Sequence, residues 1–440
     1  MYTLLIIGLL MILLYVWMRN CYSYWNKRGF KSAVGSFPFG NLTGVGSKRT
    51  SAEALVELYE QHKHDNDYLG MYLLITPAIL AISPEFIKNV LVRDFTYFQD
   101  RGFYHNKKDD PLSANLLTLE GQEWKRIRSK LTPVFTTGKL KMMFDIVSQI
   151  GDKLVKVLEP KLTVEGHADM REFLAEFTTD VIGNIAFGLE CNSLEDPDSE
   201  FRKYGKKVFE MNTARILKFF FTSAFPKSSR KLGIKSTNEE PAKFFTDAFI
   251  KTVEYREKNN IQRNDFLQLL IQQKNSSEGL TLTELASESF IFFGGGFETS
   301  ASTMAYCLYE LAQNPDIQDK LRKEICDVME ENGNELTYDC MSEMKYLNMV
   351  MDETLRKFPP IPGSIRKCTM DYSIPGSKLE IQKGTTVMIP TFAMHRDPQY
   401  YPNPNKFDPE RFTEENIKTR HPFSYLPFGE SLINTHIIEC

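Results

Sequence analysis

The spacing of apolar residues predicts a chain that is mainly helical. From Gly121 to about Glu353, apolar residues recur with the three-and-four spacing of amphipathic helices. A further helix is predicted over Met344–Phe358, and Pro359-Pro360 would end it because proline has no amide hydrogen to donate. Polar segments are expected to divide the long helical stretch at three places: Cys191–Ser199, Gly233–Pro241 and Asn275–Leu280.

Short segments outside this stretch predict strands. Tyr68–Ile82 is rich in β-forming residues and is interrupted at Thr76-Pro77, which predicts a hairpin. Lys378–Gln382 and Thr385–Ile389 predict two more short strands. The fold class expected from the pattern is therefore mainly α with a small β-sheet subdomain.

The first 18 residues are apolar and carry no charged side chain, which predicts a transmembrane anchor. As a helix they would extend roughly 27 Å, close to the thickness of a hydrocarbon core. Basic residues follow this segment, beginning with Arg19, so the rest of the chain is expected on the cytosolic side. A cleaved secretory signal is the main alternative, and a buried core helix is another.

Residues 19–48 are expected to form a hinge, and the residues from 49 to 430 a single domain. No Gly/Ser-rich or Pro-rich linker divides that second range, and no repeat occurs in it. Hydrophobic residues make up 42% of the chain and phenylalanine occurs 32 times, which is enough apolar material for one large core.

Charge and cysteine content restrict the function classes. The net charge of −4 gives no general attraction for nucleic acid, so a nucleic-acid partner is not expected. The seven cysteines include no C-x-x-C pair, which disfavours a disulfide framework or a structural zinc site and is typical of a reducing compartment.

Three consecutive glycines, Gly294, Gly295 and Gly296, interrupt a predicted helix and are followed by Phe297, Glu298 and Thr299. Three glycines cost a helix roughly 3 kcal/mol relative to alanine, so a compensating role is expected. Close approach of a flat ligand to the backbone would supply one, and the acid–hydroxyl pair Glu298-Thr299 is suited to passing protons. The alternative is a loop or a kink without a ligand.

Glu353 and Arg356 lie three residues apart in the predicted 344–358 helix, so both charges fall on one face and can pair. Arg411, in the sequence Pro-Glu-Arg-Phe, is the expected third member of a buried cluster that would join two segments. The alternative is an ordinary solvated helix face.

Trp124 and Arg128 are four residues apart, which places an indole and a guanidinium on one helix face. Together they could hold a carboxylate. A basic amphipathic helix lying on the surface is the equally weighted alternative.

Together these motifs resemble the cytochrome P450 family of haem-thiolate monooxygenases, and the resemblance extends from the apolar N-terminal segment to Glu430. Segments such as Asp100-Arg101-Gly102 and Leu131-Thr132-Pro133 are similar to the insect microsomal detoxification type. The resemblance implies the P450 fold, haem b as cofactor and the endoplasmic reticulum membrane as location, with the catalytic body in the cytosol. It also implies an NADPH-dependent reductase as electron donor.

The resemblance also implies roles for individual residues. Glu298 and Thr299 would deliver protons during oxygen activation, while Glu353, Arg356 and Arg411 would be structural. Haem contacts are implied for Trp124, Arg128, Gly295, Gly296, Arg366 and Phe428. Phe297 and Ile365 are the expected substrate contacts, within a mostly apolar lining that suits lipophilic molecules. That lining would include Arg101–Leu117, Lys218–Phe225 and Pro362–Ile365. For Phe219–Phe221, contact with the membrane is an equal alternative.

The sequence departs from the family after Glu430. The family's ligand loop reads Phe-x-x-Gly-x-Arg-x-Cys, and counting from Phe428, Ser431 replaces the glycine, Ile433 the arginine and Thr435 the cysteine. A threonine hydroxyl cannot replace the thiolate on iron. His436 and Cys440 are weak candidate ligands, because a ligand must be oriented by its surroundings. Residues 431–440 are thus expected to be an aberrant tail, and the haem-loop region of the fold to be missing.

Two functions are consistent with the sequence. The first is a membrane-bound monooxygenase that oxidises lipophilic small molecules such as plant toxins or insecticides. The second is an inactive, truncated or frameshifted product, a membrane-tethered helical protein that either folds poorly or binds a reductase or a ligand without turnover. The residues favour the second for the chain as it stands, because loss of a metal ligand removes both the chemistry and the folding energy of metal binding.

Overall fold

The computed structural model describes residues 2–210, 212–276 and 279–429. Helices dominate it and a small sheet accompanies them, as the sequence predicts. The α-helices, in chain order, are α1 (Tyr2–Cys21), α2 (Tyr24–Lys27), α3 (Ser51–His62), α4 (Pro84–Lys88), α5 (Gly121–Leu131), α6 (Thr137–Glu165), α7 (Met170–Phe187), α8 (Glu200–Phe209), α9 (Thr213–Ala224), α10 (Pro226–Lys231), α11 (Glu239–Asn259), α12 (Phe266–Lys274), α13 (Leu282–Gly296), α14 (Glu298–Gln313), α15 (Pro315–Glu331), α16 (Tyr338–Glu343), α17 (Lys345–Lys357), α18 (Thr391–Met394) and α19 (Glu414–Thr419).

Six strands of the described residues form two sheets. They are β1 (Tyr68–Leu73), β2 (Thr76–Ala81), β3 (Ser364–Lys367), β4 (Tyr372–Ser373), β5 (Glu380–Ile381) and β6 (Thr386–Ile389). The larger sheet has the order β1-β2-β6-β3, and β4 pairs with β5 in the smaller one. Within the larger sheet β2 and β6 are parallel, whereas the β1–β2 and β3–β6 pairs are antiparallel.

The predicted hairpin is present, but its turn lies earlier than expected. Leu73 pairs with Thr76, so Leu74 and Ile75 form the turn, and Leu74 takes the left-handed conformation with φ of 56°. Thr76 and Pro77 are the first residues of β2. Proline is accepted there because the start of a strand does not require its missing amide hydrogen.

The chain divides into two compact units. The first contains the described residues up to Gly102, Ile361–Lys406 and the described residues from Arg411 onward. The second contains Phe103–Pro360 and Phe407–Glu410. The domain boundaries drawn from the sequence remain predictions.

The core of the first unit surrounds the larger sheet. Leu69 and Met71 of β1, Ile79 of β2 and Val387 of β6 are all fully buried. Trp25 covers this core, and Gly70 makes room for it, since a Cβ at position 70 would lie 2.6 Å from the indole ring. The N-terminal helical turn α2 is thereby fixed to the sheet.

The core of the second unit is rich in phenylalanine. Phe187 of α7, Phe201 of α8, Phe245 of α11 and Phe293 of α13 are buried. Their rings contact one another, for example Phe245 and Phe293 at 4.7 Å between centroids. Aromatic pairs of this kind add about 0.5–1.5 kcal/mol each beyond the area they bury, so they fix α13 among its neighbours.

The segment predicted to anchor the chain in a membrane forms α1. Its described side chains are largely exposed, including Leu9, Leu13 and Trp17. Among the helices of the described residues, none meets the combined length and apolarity required to cross a membrane.

Candidate functional site

The glycine-rich segment is a junction between two helices. α13 ends at Gly296 and α14 begins at Glu298, with Phe297 between them at φ −71° and ψ −78°. The hydroxyl of Thr299 donates to the carbonyl oxygen of Gly295, four residues earlier. This side-chain bond competes with the regular helical ladder, which is how serine and threonine bend helices.

The glycines at the junction have different surroundings. A Cβ at Gly295 would meet no atom within 4 Å, whereas a Cβ at Gly296 would lie 2.5 Å from Cδ1 of Ile182 on α7. Gly296 therefore lets α13 pack closely against α7. Gly295 leaves the backbone accessible to a flat ligand.

Glu298 and Phe297 are held by different contacts in the second unit. Arg171 Nη2 donates to Glu298 Oε1 at 3.1 Å, and the Glu298 side chain is 39% exposed. Phe297 is buried and stacks on Phe293 with 5.2 Å between ring centroids. The structure thus places Phe297 in the aromatic core, and its contact with a substrate remains a prediction.

Glu353 and Arg356 form the buried pair that their spacing predicts. Both side chains are fully buried on α17, which excludes the solvated-face alternative. Arg356 Nε donates to Glu353 Oε2 at 2.6 Å, and Arg356 Nη2 donates to Oε1 at 2.8 Å. The amide of Asp408 also donates to Glu353 Oε1, at 2.9 Å. The pair therefore holds the 407–410 segment to α17.

Arg411, the expected third member of this cluster, belongs to the first unit. There its Nη2 donates to the carbonyl oxygen of Asn403 at 3.0 Å, and its own carbonyl oxygen accepts from Arg420 Nη1 at 2.6 Å. Both bonds lie within the first unit, where they join Arg411 to Asn403 and Arg420. The predicted role of Arg411 beside Glu353 remains a prediction.

Trp124 and Arg128 lie on the buried face of α5. Their exposed fractions are 4% and 6%, and Ile127 and Leu131 complete this face. The surface-helix alternative therefore does not apply to these two residues. Arg126, on the same helix, is only partly buried and pairs with Glu284 of α13.

Arg366 of β3 is a buried cation in the first unit. It is 4% exposed, its Nη1 donates to the carbonyl oxygen of Ile365 at 3.2 Å, and its Nε has no hydrogen-bond partner among the described residues. Burial, together with the nearby charge of Arg101, lowers the pKa of Arg366 to about 9. Burial also lowers the pKa of Arg101.

Both arginines are desolvated, and the charge of Arg101 acts on Arg366, so an anion could be accommodated beside them. A carboxylate placed here would satisfy the guanidinium donors and offset the repulsion, because charge-assisted hydrogen bonds from arginine are strong. The carboxylates of haem are groups of this kind, so Arg366 and Arg101 fit the expected cofactor. Ile365 precedes Arg366 in β3 and is partly buried.

Phe428 lies at the end of the described chain and is 37% exposed. The segment before it is fixed by His395, whose Nε2 accepts a hydrogen bond from the Leu426 amide at 2.8 Å. The candidate iron-ligand positions Thr435, His436 and Cys440 lie outside the described residues. Within residues 2–210, 212–276 and 279–429, no cluster of three or more His, Cys, Asp or Glu side chains could hold a metal ion.

Three residues that support these sites carry no local signal of that role in the sequence. His395 positions the segment before Phe428, Arg171 pairs with Glu298, and Arg101 was assigned only to the substrate lining. Arg171 and His395 each act over a long sequence separation, so no local pattern marks them. Arg101 and Arg366 are also far apart in the sequence, so no local spacing indicates that the charge of one acts on the other.

Comparison with known proteins supports one family. Residues 35–430 match the family model described as cytochrome P450. The chain is similar to "Cytochrome P450 6A1" of Musca domestica, with 43% identity over 434 residues that cover 96% of this chain and 85% of the relative. It is also similar to "Probable cytochrome P450 6a13" of Drosophila melanogaster, with 42% identity over 421 residues that cover 95% and 85% of the two chains.

Proposed function

Because this chain belongs to the cytochrome P450 family, whose members are haem-containing monooxygenases, we propose that it oxidises lipophilic small molecules with O2 and electrons from a reductase. The observation that carries the proposal is the junction between α13 and α14. There the Thr299 hydroxyl donates to the carbonyl oxygen of Gly295, whose backbone is open to a ligand, and the acid Glu298 precedes Thr299 in the chain.

The residues of the chain would hold the cofactor in the following way. Arg366, assisted by Arg101, would donate to a haem carboxylate, and bound carboxylate would offset the cost of burying the two cations. Trp124 and Arg128 carry the donor types that the family pattern assigns to a propionate. When bound, the haem supplies the oxygen chemistry.

Glu298 and Thr299 would manage protons. Monooxygenation consumes protons, and a half-exposed carboxylate can exchange them with solvent. Arg171 pairs with the Glu298 side chain, and the Thr299 hydroxyl, bonded to the carbonyl oxygen of Gly295, can pass a proton onward. Together they form a short relay from solvent to the junction.

The expected substrates are lipophilic because the assigned lining is apolar. Phe219 and Phe221 of α9 and Leu117 keep exposed apolar surface in the described chain. Plant toxins and insecticides are the substrate class proposed from the resemblance. Apolar pockets with few polar groups are the usual way in which proteins bind such molecules.

The proposed location is the endoplasmic reticulum membrane with the catalytic body in the cytosol. The exposed apolar side chains of α1, among them Leu9, Leu13 and Trp17, support contact of this helix with a membrane. A membrane-bound NADPH-dependent reductase is the proposed electron donor. Lys125, exposed on α5, is a candidate for its docking face.

One sequence feature favours a second candidate function. Thr435 occupies the position of the family's thiolate ligand, and Ser431 and Ile433 replace two further loop residues. A chain without that sulfur would bind reductase or ligand without turnover. These three residues lie outside the described part of the chain.

A carbon monoxide difference spectrum of the reduced, haem-supplemented full chain distinguishes the two candidates. A thiolate-type Soret band would exclude the inactive candidate. Haem absorption without that band, together with no product from lipophilic test compounds and reductase, would exclude the monooxygenase.

A further inference from the structure

A compact loop in the second unit, Pro111–Leu119, lies against α13 and is stiffened by its own hydrogen bonds. Asn115 Nδ2 donates to the Leu112 carbonyl oxygen at 3.0 Å, and the Leu119 amide donates to the Asn115 carbonyl oxygen at 2.9 Å. The hydroxyl of Thr118 donates to the Ser113 carbonyl oxygen. We call this segment the 111–119 loop. Its internal bonds allow it to move as one body.

Two adjacent residues of α13 attach this loop. The Ser287 hydroxyl lies 2.9 Å from the Ala114 carbonyl oxygen and 3.2 Å from that of Leu112, and it donates to this pair. Glu288 Oε2 accepts a hydrogen bond from the Leu116 amide at 3.2 Å. Both side chains are buried.

Glu288 is an ionisable side chain at a buried position of α13, where such residues are rare. It is 2% exposed, and its second oxygen, Oε1, has no hydrogen-bond partner among the described residues. Burial of a carboxyl group disfavours its ionised form, and this raises the pKa of Glu288 to about 8. The Leu116 amide acts in the opposite direction but is weaker.

The charged surroundings of Glu288 are simple. Glu284, one turn earlier on α13, raises the pKa of Glu288 further, and Glu284 is itself paired with Arg126 of α5 and lies 3.7 Å from Lys107. From α7, α11, α12, α14 and the 111–119 loop, no charged side chain of the described chain acts on the pKa of Glu288. Among the described residues, no cation forms an ion pair with this carboxyl group.

We propose that Glu288 is a proton-dependent latch that holds the 111–119 loop on α13 while it is neutral and releases the loop when it ionises. In the closed state the protonated Glu288 accepts a hydrogen bond from the Leu116 amide, and no charge is buried. In the open state the side chain reaches water, where a carboxylate is stable.

The direction of the pH dependence follows from the two states. The closed state keeps its proton up to about pH 8, and the open state loses it near the ordinary glutamate value of 4.5. Opening therefore releases a proton between these values, so raising the pH favours the open loop by up to about tenfold per pH unit. Above about pH 8 the dependence ends.

The consequence for substrate entry rests on the proposed function. The 111–119 loop overlaps the segment assigned to the lining of the substrate pocket, so its release would alter access to that pocket. The latch itself depends only on contacts within the second unit.

Hydrogen–deuterium exchange on the full chain tests the latch without haem or turnover. Protection of the 111–119 amides would be compared between the unmodified chain and Glu288→Gln at about pH 6 and about pH 8. The protection ratio of unmodified chain to variant should fall by up to about one hundredfold between these pH values. The variant should stay closed, because its neutral amide still accepts the Leu116 bond.

Two further variants serve as controls. Glu254→Gln changes an exposed glutamate of α11 and should leave the exchange pattern of the unmodified chain intact. Ser287→Ala removes the uncharged attachment and should lower loop protection equally at both pH values. If the protection of the 111–119 amides depends on pH equally in the unmodified chain and in Glu288→Gln, the proposal is overturned. If Glu288→Gln fails to fold, constant loop protection relative to α11 amides in the unmodified chain would overturn it as well.

Discussion

Arg356 donates from Nε and Nη2 to both carboxylate oxygens of Glu353, at 2.6 and 2.8 Å, and neither side chain is exposed to solvent. The Asp408 amide also donates a hydrogen bond to this carboxylate. Because the ions are buried, the arrangement is stable only while all partners are present. The pair therefore fixes a structural joint of the second unit.

Glu353→Gln should strongly destabilise the second unit. The substitution removes the carboxylate charge that pairs with the buried guanidinium of Arg356, and we expect a loss of about 3–5 kcal/mol in the free energy of unfolding. Urea unfolding of the haem-free chain measures it. Asp319→Asn is the matched control, since Asp319 and Arg322 pair at the same spacing on α15 but are 70% and 61% exposed. The control should be indistinguishable from the unmodified chain, and equal losses in both variants would contradict the prediction.

Gly295→Ala and Gly296→Ala should have opposite effects on stability. At 296 the new methyl group would press on Ile182, with an expected cost of about 1–3 kcal/mol. At 295 it meets nothing, so the higher helix propensity of alanine should stabilise α13 by about 0.5–1 kcal/mol. Thermal unfolding of the two haem-free variants gives the comparison. A stabilising Gly296→Ala would show that this glycine is not required for packing on α7.

Arg366→Met should make the haem-free chain more stable. It removes a desolvated cation that Arg101 repels, and the expected gain is on the order of 1 kcal/mol. The pKa of Arg366 is lowered to about 9, so the folded state loses this proton before the unfolded state does. Below about pH 9, the charged Arg366 therefore lowers the free energy of unfolding by its full amount. This destabilisation declines as the pH rises above that value.

The same variant gives a pH test by urea unfolding. The stability difference between Arg366→Met and the unmodified chain should shrink from about pH 8 to about pH 10. Lys383→Met, at an exposed position of the first unit, should show no difference at either pH. If Arg366→Met were less stable than the unmodified chain, the burial of the Arg366 charge would already be offset by other contacts in the haem-free chain.

The sequence predicted those features that depend on local spacing. Helical periodicity predicted the second unit's helices, and the i, i+3 spacing predicted the contact between Glu353 and Arg356. The β-rich run predicted the β1–β2 hairpin but not the position of its turn. The turn residue in the left-handed conformation is Leu74, and neither proline nor glycine marks the turn in the sequence. Local chemistry was enough where neighbours in sequence are neighbours in space.

Contacts between distant residues were not predictable in this way. The difference between Gly295 and Gly296 depends on where Ile182 of α7 lies, more than one hundred residues earlier. Contacts between residues distant in sequence also bring Arg101 near Arg366 and attach Leu116 to Glu288. Tertiary packing decides these features, and a single sequence does not specify it locally.

Titration of the purified, haem-free full chain with hemin, followed by absorbance, tests whether the chain binds haem with the help of Arg366. We expect a Soret band that saturates near one equivalent of hemin and is weakened in Arg366→Met but not in Lys383→Met. The absence of saturable Soret absorption in the unmodified chain would contradict the claim that these residues form a haem site.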